Sequence, residues 1–204
     1  MKDLIVLTAD KNAEFAVRGL LARSDDLGIR SLSYDVYVHP RRDPGCLNDA
    51  QDFLRPFLGD YRHALVLFDH SGCGHEGESP QSIAHDVERK LAANGWSNRA
   101  AVVVLFPELE VWVWSNSPHV AACLGWGERH PPLRQWLAER GHWPPDRPKP
   151  PDPKSAMEAT LREVRKPRSS SIYRDLAERV PLRGHTEPAF VRLTSILRQW
   201  FSDP

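Results

Sequence analysis

The sequence predicts an α/β protein in which a mainly parallel, four-stranded sheet is flanked by helices and followed by a helical C-terminal extension. Apolar runs of strand length alternate with segments of helical periodicity in the first half of the chain, in the order βαβαβαβ. The runs are almost continuously apolar, which is typical of parallel strands buried on both faces. The links between them are short, and this alternation favours a parallel sheet with helices on both sides.

Four strands and three helices account for the first half of the chain. The predicted strands are Leu4–Thr8, Ser31–His39, Ala64–Phe68 and Ala100–Phe106. The predicted helices are Asn12–Arg23, Leu47–Leu58 and Pro80–Asn94. Ser79 is a suitable N-cap for the third of these helices, and Gly95 is a suitable stop. Turn residues fill Pro40–Gly45, and a glycine-rich loop runs from Asp69 to Gly77.

The character of the chain changes beyond Pro107. Four tryptophans between Leu109 and Leu137 indicate core or interface packing, because large aromatic side chains dominate buried contacts. Six prolines between Trp143 and Lys154 favour an extended connector. We therefore divide the chain into an α/β domain over 1–142, a connector over 143–154 and a helical segment over 155–204 that packs on the domain.

The C-terminal segment is predicted to form three helices, at Ser155–Arg165, Ser170–Val180 and Glu187–Phe201. The last helix carries an apolar stripe that must be buried. Residues 146–204 hold 12 basic and eight acidic side chains, whereas residues 1–145 hold 15 basic and 19 acidic ones. The positive segment either docks on the acidic domain or contacts a nucleic acid. Docking is favoured, because Arg and Lys on helix exteriors are ordinary solvated residues and do not by themselves indicate a nucleic-acid surface.

The composition is that of a globular protein of 204 residues, 41% of them hydrophobic, which is enough to close a core and excludes bulk disorder. The 27 Lys and Arg residues balance 27 Asp and Glu residues, which argues against a diffuse basic surface for nucleic acid but leaves a local patch open. The apolar run near the start, Leu4–Leu7, is far shorter than the roughly 20 residues of a membrane span. We expect a cytoplasmic protein with no membrane partner, whose three widely spaced cysteines are reduced.

Acidic side chains follow three of the four predicted strands. Asp10 and Glu14 come after the first strand, Asp69 follows the third, and Glu108 and Glu110 follow the fourth. Ligands of open parallel sheets bind outside the carboxyl ends of the strands, so these oxygens converge if the strands are neighbours. Such hard ligands suit Mg²⁺ or Mn²⁺, and a bound ion of this kind polarises phosphoryl groups. Alternatively, the acids cap helices, as Asp10 does if a helix begins beside it.

The glycine-rich loop offers the softer ligands His70, Cys73 and His75. Structural zinc takes four ligands in spaced pairs, and the sequence has no second pair, so zinc is not favoured. A nucleophilic role for Cys73 is open, but nothing in the spacing demands it. More simply, the glycines allow a turn that brings the backbone close to the acidic residues.

Two cations and several hydroxyl groups stand at the predicted start of the second C-terminal helix. Lys166 and Arg168 precede Ser169, Ser170 and Ser171. Such a segment can hold a phosphate through its free backbone N–H groups and its side chains. It is equally typical of a serine N-cap that follows a proline.

Three segments carry a family resemblance. Leu4–Leu21 is similar to a strand followed by Glu-Gly-x-Thr-Glu-x-x-Phe, with Phe15 in register. Pro107–Trp114 is similar to a Glu-Leu-Glu-x-Trp signature, and Tyr173–Leu197 is similar to a closing Tyr-x-Lys, Cys-Pro-Phe and Leu pattern. In these motifs the chain resembles, over nearly its whole length, the Toprim-like proteins related to RloB, a bacterial family found near phage-defence and restriction genes.

The chain departs from the family pattern at functional positions. The family's catalytic glutamate after the first strand falls on Thr8, so Asp10 or Glu14 would have to substitute. Of the acid pair after the third strand, the chain keeps the first member, Asp69. Glu110 matches the retained glutamate of the third motif. The resemblance therefore implies an incomplete Toprim metal site with a reduced or altered activity.

The local structure of Glu108–Trp114 is left open by the sequence. Leu109, Val111 and Val113 alternate with other residues as in a strand. The family resemblance instead implies a helix that begins at Pro107.

The resemblance implies one of two functions. The first is an enzyme of a bacterial antiphage defence system that cuts nucleic acid with a bound Mg²⁺ or Mn²⁺ ion. Its expected residues are Asp10, Glu14, Asp69 and Glu110 for catalysis, with Asp69, Glu110 and Asp10 as metal ligands and Lys11, Lys166 and Arg168 for phosphate. The second is a subunit without catalysis that assembles with other defence proteins through its aromatic and C-terminal surfaces.

Overall fold

The computed structural model describes residues 1–182 and 184–202, and these residues contain a four-stranded sheet. Its strands are β1 (Lys2–Thr8), β2 (Tyr34–Val38), β3 (Tyr61–Asp69) and β4 (Ala100–Leu105). They lie in the order β2-β1-β3-β4, and all three neighbouring pairs are parallel. The predicted fold class, an α/β protein with a four-stranded parallel sheet, is confirmed.

Helices flank this sheet. They are α1 (Lys11–Leu21), α2 (Ser24–Leu27), α3 (Arg42–Leu54), α4 (Pro80–Leu91), α5 (Pro118–Cys123), α6 (Leu133–Glu139), α7 (Pro153–Glu163), α8 (Ser170–Arg179) and α9 (Pro188–Phe201). Short 3₁₀ segments lie at Arg55–Phe57 and Leu109–Trp112, and a π-helical turn lies at Ala92–Trp96. Asp10, Ser79 and Asp152 cap α1, α4 and α7, because each side chain accepts from a backbone N–H three residues on. In the part of the chain that the structure describes, no helix is long and apolar enough to cross a bilayer.

The start of one helix differs from the sequence expectation, and the structure defines one segment that the sequence left open. Helix α3 begins at Arg42 instead of Leu47, so most of the predicted turn Pro40–Gly45 is the first turn of a helix. Its turn-forming composition is compatible with a helix start, because the missing N–H of Pro44 is not needed in the first turn. The segment that the sequence left open is a 3₁₀ helix at Leu109–Trp112 rather than a strand.

Each face of the sheet has its own apolar core, because alternate residues of a strand point to opposite faces. On one face, Leu4 and Val6 pack with residues of α1, α8 and α9 and with the tryptophan-rich stretch. On the other face, Ile5 and Leu7 pack with residues of α3 and α4. The predicted packing role of the tryptophans is confirmed, since Trp114 and its neighbours are buried in the first of these cores.

The C-terminal helices cover the first face. Helix α8 packs closely along α1, where a Cβ at Gly19 would lie 2.8 Å from the Cβ of Ala177. In α9, Phe190, Leu193 and Leu197 are buried in the same core, as the apolar stripe predicts. Burial of each such side chain contributes about 2 kcal/mol, whereas an exposed ion pair contributes about 0–1 kcal/mol. Apolar packing therefore holds this segment against the sheet more strongly than charge attraction does.

Candidate metal centre

The carboxyl ends of the strands meet along one edge of the sheet, and acidic residues follow each of them. Asp10 follows β1, and Asp43 lies in the first turn of α3 after β2. Asp69 ends β3, and Glu108 and Glu110 follow β4. Parallel pairing in the order β2-β1-β3-β4 brings these segments to the same edge.

Asp69, Glu108 and Glu110 form an acidic triad, in which one carboxylate oxygen from each residue lies within 4.8 Å of one from each of the others. The side chain of Glu110 is only 3% exposed and that of Glu108 is 13% exposed. Two oxygens on opposite sides of one ion are roughly 4–5 Å apart, because each lies about 2.0–2.6 Å from it. The acidic triad therefore has the donor type and the spacing to bind a divalent cation.

Backbone and side-chain contacts hold the first two acids by one oxygen each. The Oδ1 atom of Asp69 accepts from the N–H of Leu109 at 2.9 Å, and the N–H of Asp69 donates to Oδ1 of Asp43 at 2.9 Å. The Oε2 atom of Glu108 is 3.3 Å from Nζ of Lys154. Within residues 1–182 and 184–202, Oδ2 of Asp69 and Oε1 of Glu108 have no hydrogen-bond partner.

Glu110 is held in the same way by two residues of the C-terminal segment. Its Oε1 atom accepts from Nη2 of Arg168 and from the hydroxyl of Tyr173, both at 2.5 Å. Arg168 also pairs through Nη1 with Glu158 at 2.9 Å. No described residue donates to Oε2 of Glu110, so each member of the acidic triad has one oxygen that is not hydrogen-bonded within the described residues.

Burial, together with nearby like charges, raises the affinity of Asp69, Asp43 and Glu108 for protons. Burial raises the pKa of Asp69 well above its usual value, and the charges of Asp43, Glu110, Asp10 and Glu108 raise it further. Burial is also the largest cause of the raised pKa of Asp43 and of Glu108. A divalent cation among these groups would relieve the like-charge repulsion that adds to the effect of burial on the pKa of Asp69.

A cleft of about 500 Å³ opens beside the acidic triad, at the ends of β1 and β2. Its polar lining consists of Asp10, Asn12 and His39 together with four cationic side chains, Lys11, Arg42, Lys154 and Arg168. Lys154 and Arg168 are the cations that pair with the acidic triad, so the triad and the cleft share these two side chains. Sites of phosphoryl transfer combine carboxylates that bind a metal ion with cationic side chains that bind the phosphate, and the two groups lie side by side here.

The turn after β2 supplies residues that the sequence interpretation missed. His39 and Arg42 line the cleft, and Asp43 contacts the backbone of the acidic triad. Nδ1 of His39 accepts from the N–H of Arg41 at 3.1 Å, and burial and the Arg41 charge lower the pKa of His39. The ring packs against Gly45, where any Cβ would overlap it. The pairing of β2 with β1 brings this turn to the site, and a local pattern carries no signal of that pairing.

The two acids predicted after β1 have different positions. Asp10 caps α1 by accepting from the N–H of Ala13 at 2.8 Å, and it also lines the cleft. Glu14 is bound within α1, 2.7 Å from Nζ of Lys11 and 3.0 Å from Nη2 of Arg18. Glu14 is therefore committed to ion pairs and does not join the acidic triad, whereas Lys11 reaches both Glu14 and the cleft.

The two cations predicted to bind phosphate also separate. Nζ of Lys166 donates to the carbonyl of Cys123 at 2.6 Å, and this residue does not line the cleft. Arg168 does line it, beside the start of α8. There Oγ of Ser170 donates to Oδ1 of Asn12 at 2.9 Å, which joins α8 to the first turn of α1.

The softer ligands of the glycine-rich loop are engaged within the loop itself. Nε2 of His70 lies 2.8 Å from the carbonyl oxygen of Glu78, and Nδ1 of His75 lies 2.9 Å from Oε1 of the same residue. Sγ of Cys73 accepts from the N–H of His75 at 3.4 Å, and burial raises the pKa of the thiol. Among the described residues, the acidic triad is the group of three or more such ligands that converges.

The position that the family resemblance assigns to a strand-end glutamate holds Thr8. Its buried hydroxyl donates to the carbonyl of Tyr37 at 3.2 Å, so this position provides no carboxylate. Comparison of the chain with models of known protein families, with curated proteins and with solved structures gave no match.

Proposed function

We propose that this chain is a Toprim-like phosphodiester hydrolase that acts on nucleic acid with one Mg²⁺ or Mn²⁺ ion held by Asp69, Glu108 and Glu110. The observation that carries the proposal is the convergence of these three carboxylates within 4.8 Å at the ends of β3 and β4. The cationic cleft beside them supports it, because nucleic acid presents repeated phosphate charges to such a surface.

The residues of the site have distinct roles in this proposal. A bound divalent ion supplies polarisation of a phosphoryl oxygen and a lowered pKa of a coordinated water. Lys11, Arg42, Lys154 and Arg168 neutralise and orient the phosphate in the cleft. Asp43, whose pKa is raised by burial, stands beside Asp69 and accepts a proton from the attacking water.

The cellular setting enters the proposal through the sequence resemblance. The motifs around Phe15, Glu110 and Tyr173 are similar to those of a family found near phage-defence genes. We accordingly propose a role in antiphage defence, with other defence proteins as partners. This part is independent of the metal chemistry and is tested separately, by phage challenge of cells that carry the gene.

A structural or protein-interaction subunit is the second candidate, and one observation favours it. Lys154 and Arg168 already neutralise two members of the acidic triad without an ion. Arg168 also joins α7 to α8, because it contacts both Glu158 and Tyr173. A network of this kind can serve the fold alone, in which case the acidic triad binds no metal.

Cleavage assays on the purified chain test the enzymatic proposal. Single- and double-stranded DNA and RNA are incubated with Mg²⁺ or Mn²⁺, and the products are resolved on gels. We expect ion-dependent cleavage that falls about 100-fold or more in Glu108→Gln, since this change removes a charged ligand and keeps the size of the side chain. Glu178→Gln is the matched control, because Glu178 is an exposed glutamate of α8 paired with Arg174.

Two results decide between the candidates. Cleavage that is lost in Glu108→Gln and kept in Glu178→Gln supports the hydrolase. Absence of cleavage of all four substrates, together with absence of Mn²⁺ binding, overturns it in favour of the subunit.

A further inference from the structure

Two cations serve both the acidic triad and the cleft. Nζ of Lys154 is 3.3 Å from Oε2 of Glu108, and Nη2 of Arg168 is 2.5 Å from Oε1 of Glu110. The same two side chains line the cleft in which a phosphate would lie. Each cation therefore stands between a carboxylate that it neutralises and a space that suits an anion.

We propose that Lys154 and Arg168 couple the binding of a divalent cation at the acidic triad to the binding of a phosphodiester anion in the cleft. In the ion-free protein they neutralise Glu108 and Glu110. Once the ion neutralises the carboxylates, they turn to the anion. This inference rests on the proposed function, because it requires the acidic triad to bind a metal ion.

The charges give the direction of the coupling. Three ionised carboxylates and the two cations that pair with them together carry one negative charge, so in the ion-free protein Lys154 and Arg168 are not available as net positive charge for an anion. A divalent cation changes the balance to one positive charge. A single phosphodiester anion then neutralises the whole group, so each ligand favours the other.

Exposure shows which groups can move. The side chains of Lys154 and Arg168 are 45% and 32% exposed, whereas that of Glu110 is 3% exposed. The carboxylate of Glu110 is also fixed by the hydroxyl of Tyr173. The cations are therefore more exposed than the carboxylates of the acidic triad that they contact, and this leaves them room to turn toward the cleft.

A second contact keeps one of the cations at the rim of the cleft. Nη1 of Arg168 is 2.9 Å from Oε1 of Glu158 in α7. If Arg168 releases Glu110, this contact still holds the guanidinium close to the anion. A planar guanidinium also has further N–H donors for two oxygens of one phosphate.

Reciprocal binding measurements test the coupling. Mn²⁺ binding is followed by electron paramagnetic resonance of the free ion, with and without dimethyl phosphate at constant ionic strength. Dimethyl phosphate is a simple phosphodiester with a single charge. We expect it to tighten Mn²⁺ binding by about fivefold or more, and Mn²⁺ to tighten its binding by the same factor.

Two variants identify the side chains responsible. Without the anion, Arg168→Gln and Lys154→Met should bind Mn²⁺ more tightly than the wild-type protein, because a competing cation is removed. The effect of dimethyl phosphate should fall in both. Loss of a nearby positive charge tightens Mn²⁺ binding by itself, so the result specific to the proposal is the smaller effect of dimethyl phosphate in these two variants.

Folding and total charge are controlled separately. Arg168→Gln removes a partner of buried Glu110, so Lys154→Met, which affects the more exposed Glu108, provides the second variant. Thermal melting confirms that each variant folds. Arg162→Gln, on the exposed side of α7 and outside the cleft, removes one positive charge and should keep the full coupling.

The outcomes separate this inference from the proposed function. Mn²⁺ binding that dimethyl phosphate does not change, or changes equally in all variants, overturns the coupling and leaves the metal site standing. Absence of Mn²⁺ binding overturns the proposed function, and the coupling with it.

Discussion

Asp69 belongs to the acidic triad and is also the first residue of the glycine-rich loop. Of these two regions, the acidic triad is the one in which the potential ligands converge. Its three carboxylates lie within 4.8 Å of one another. In the loop, His70 and His75 are bound to different oxygens of Glu78, at 2.8 and 2.9 Å. Both regions contain metal-ligating residue types, so residue type alone does not make a site.

The two regions differ in where their hydrogen-bond partners come from. In the loop, one ring nitrogen of each histidine contacts Glu78, which lies a few residues away in the chain. Burial also raises the pKa of Cys73, which disfavours the thiolate that a metal or a nucleophilic reaction needs. In the acidic triad, distant residues such as Lys154 and Arg168 hold one oxygen of an acid and leave the other. A metal site needs ligand atoms that the fold holds in position but that are not already hydrogen-bonded.

The largest expected difference between the acidic triad and the glycine-rich loop is in their contribution to Mn²⁺ affinity. Asp69→Asn should weaken Mn²⁺ binding about 100-fold or more, because a charged ligand is lost from the acidic triad. Cys73→Ala in the loop should leave it unchanged. Isothermal titration calorimetry measures both affinities. An equal loss in the two variants would contradict the distinction between the regions.

The pH dependence of stability tests the raised pKa of Asp69 in the acidic triad. Because the pKa of Asp69 is raised in the folded protein, the unfolded chain releases this proton at a lower pH. The stability contributed by the group is therefore full below the unfolded pKa and is lost as the pH rises through the folded pKa.

The variant Asp69→Asn cannot undergo this loss, since an amide does not ionise. We expect it to stabilise the ion-free protein at neutral pH, and the advantage should vanish at acidic pH. Urea unfolding in the presence of a chelator, at several pH values, measures the difference. Destabilisation at neutral pH would contradict the raised pKa of Asp69.

The smallest expected effect lies in the loop. His75 and Glu78 form an exposed pair, with side chains 51% and 43% exposed. His75→Ala should therefore change the free energy of unfolding by less than about 0.5 kcal/mol, as measured by thermal or urea unfolding. Stoichiometric zinc in the purified protein that disappears in this variant would show instead that the loop holds a metal.

Local patterns were sufficient for part of the site. The apolar runs that precede Asp69 and Glu110 predicted strands, and the rule for parallel sheets placed both acids at one edge, where they lie. Asp43 and His39 were not found in this way, because Asp43 lies in a segment with the composition of a turn and His39 is the last residue of a predicted strand. They belong to the site because β2 pairs with β1.

The cations show the same limit. Lys154 was assigned to a proline-rich connector, yet it lies in α7 and pairs with Glu108, 46 residues earlier in the chain. Lys166 was expected to bind phosphate, but the docking of its segment directs it to the carbonyl of Cys123. Such pairs depend on how helices pack, which no local pattern contains.

The sequence by itself determined the alternation of strands and helices, the parallel sheet and the burial of the tryptophans, since apolar periodicity acts over a few neighbouring residues. Only the tertiary structure decided which acids converge, which cations face them and which donors are already used. Those contacts join residues far apart in the chain, and their geometry follows from strand order and helix docking together.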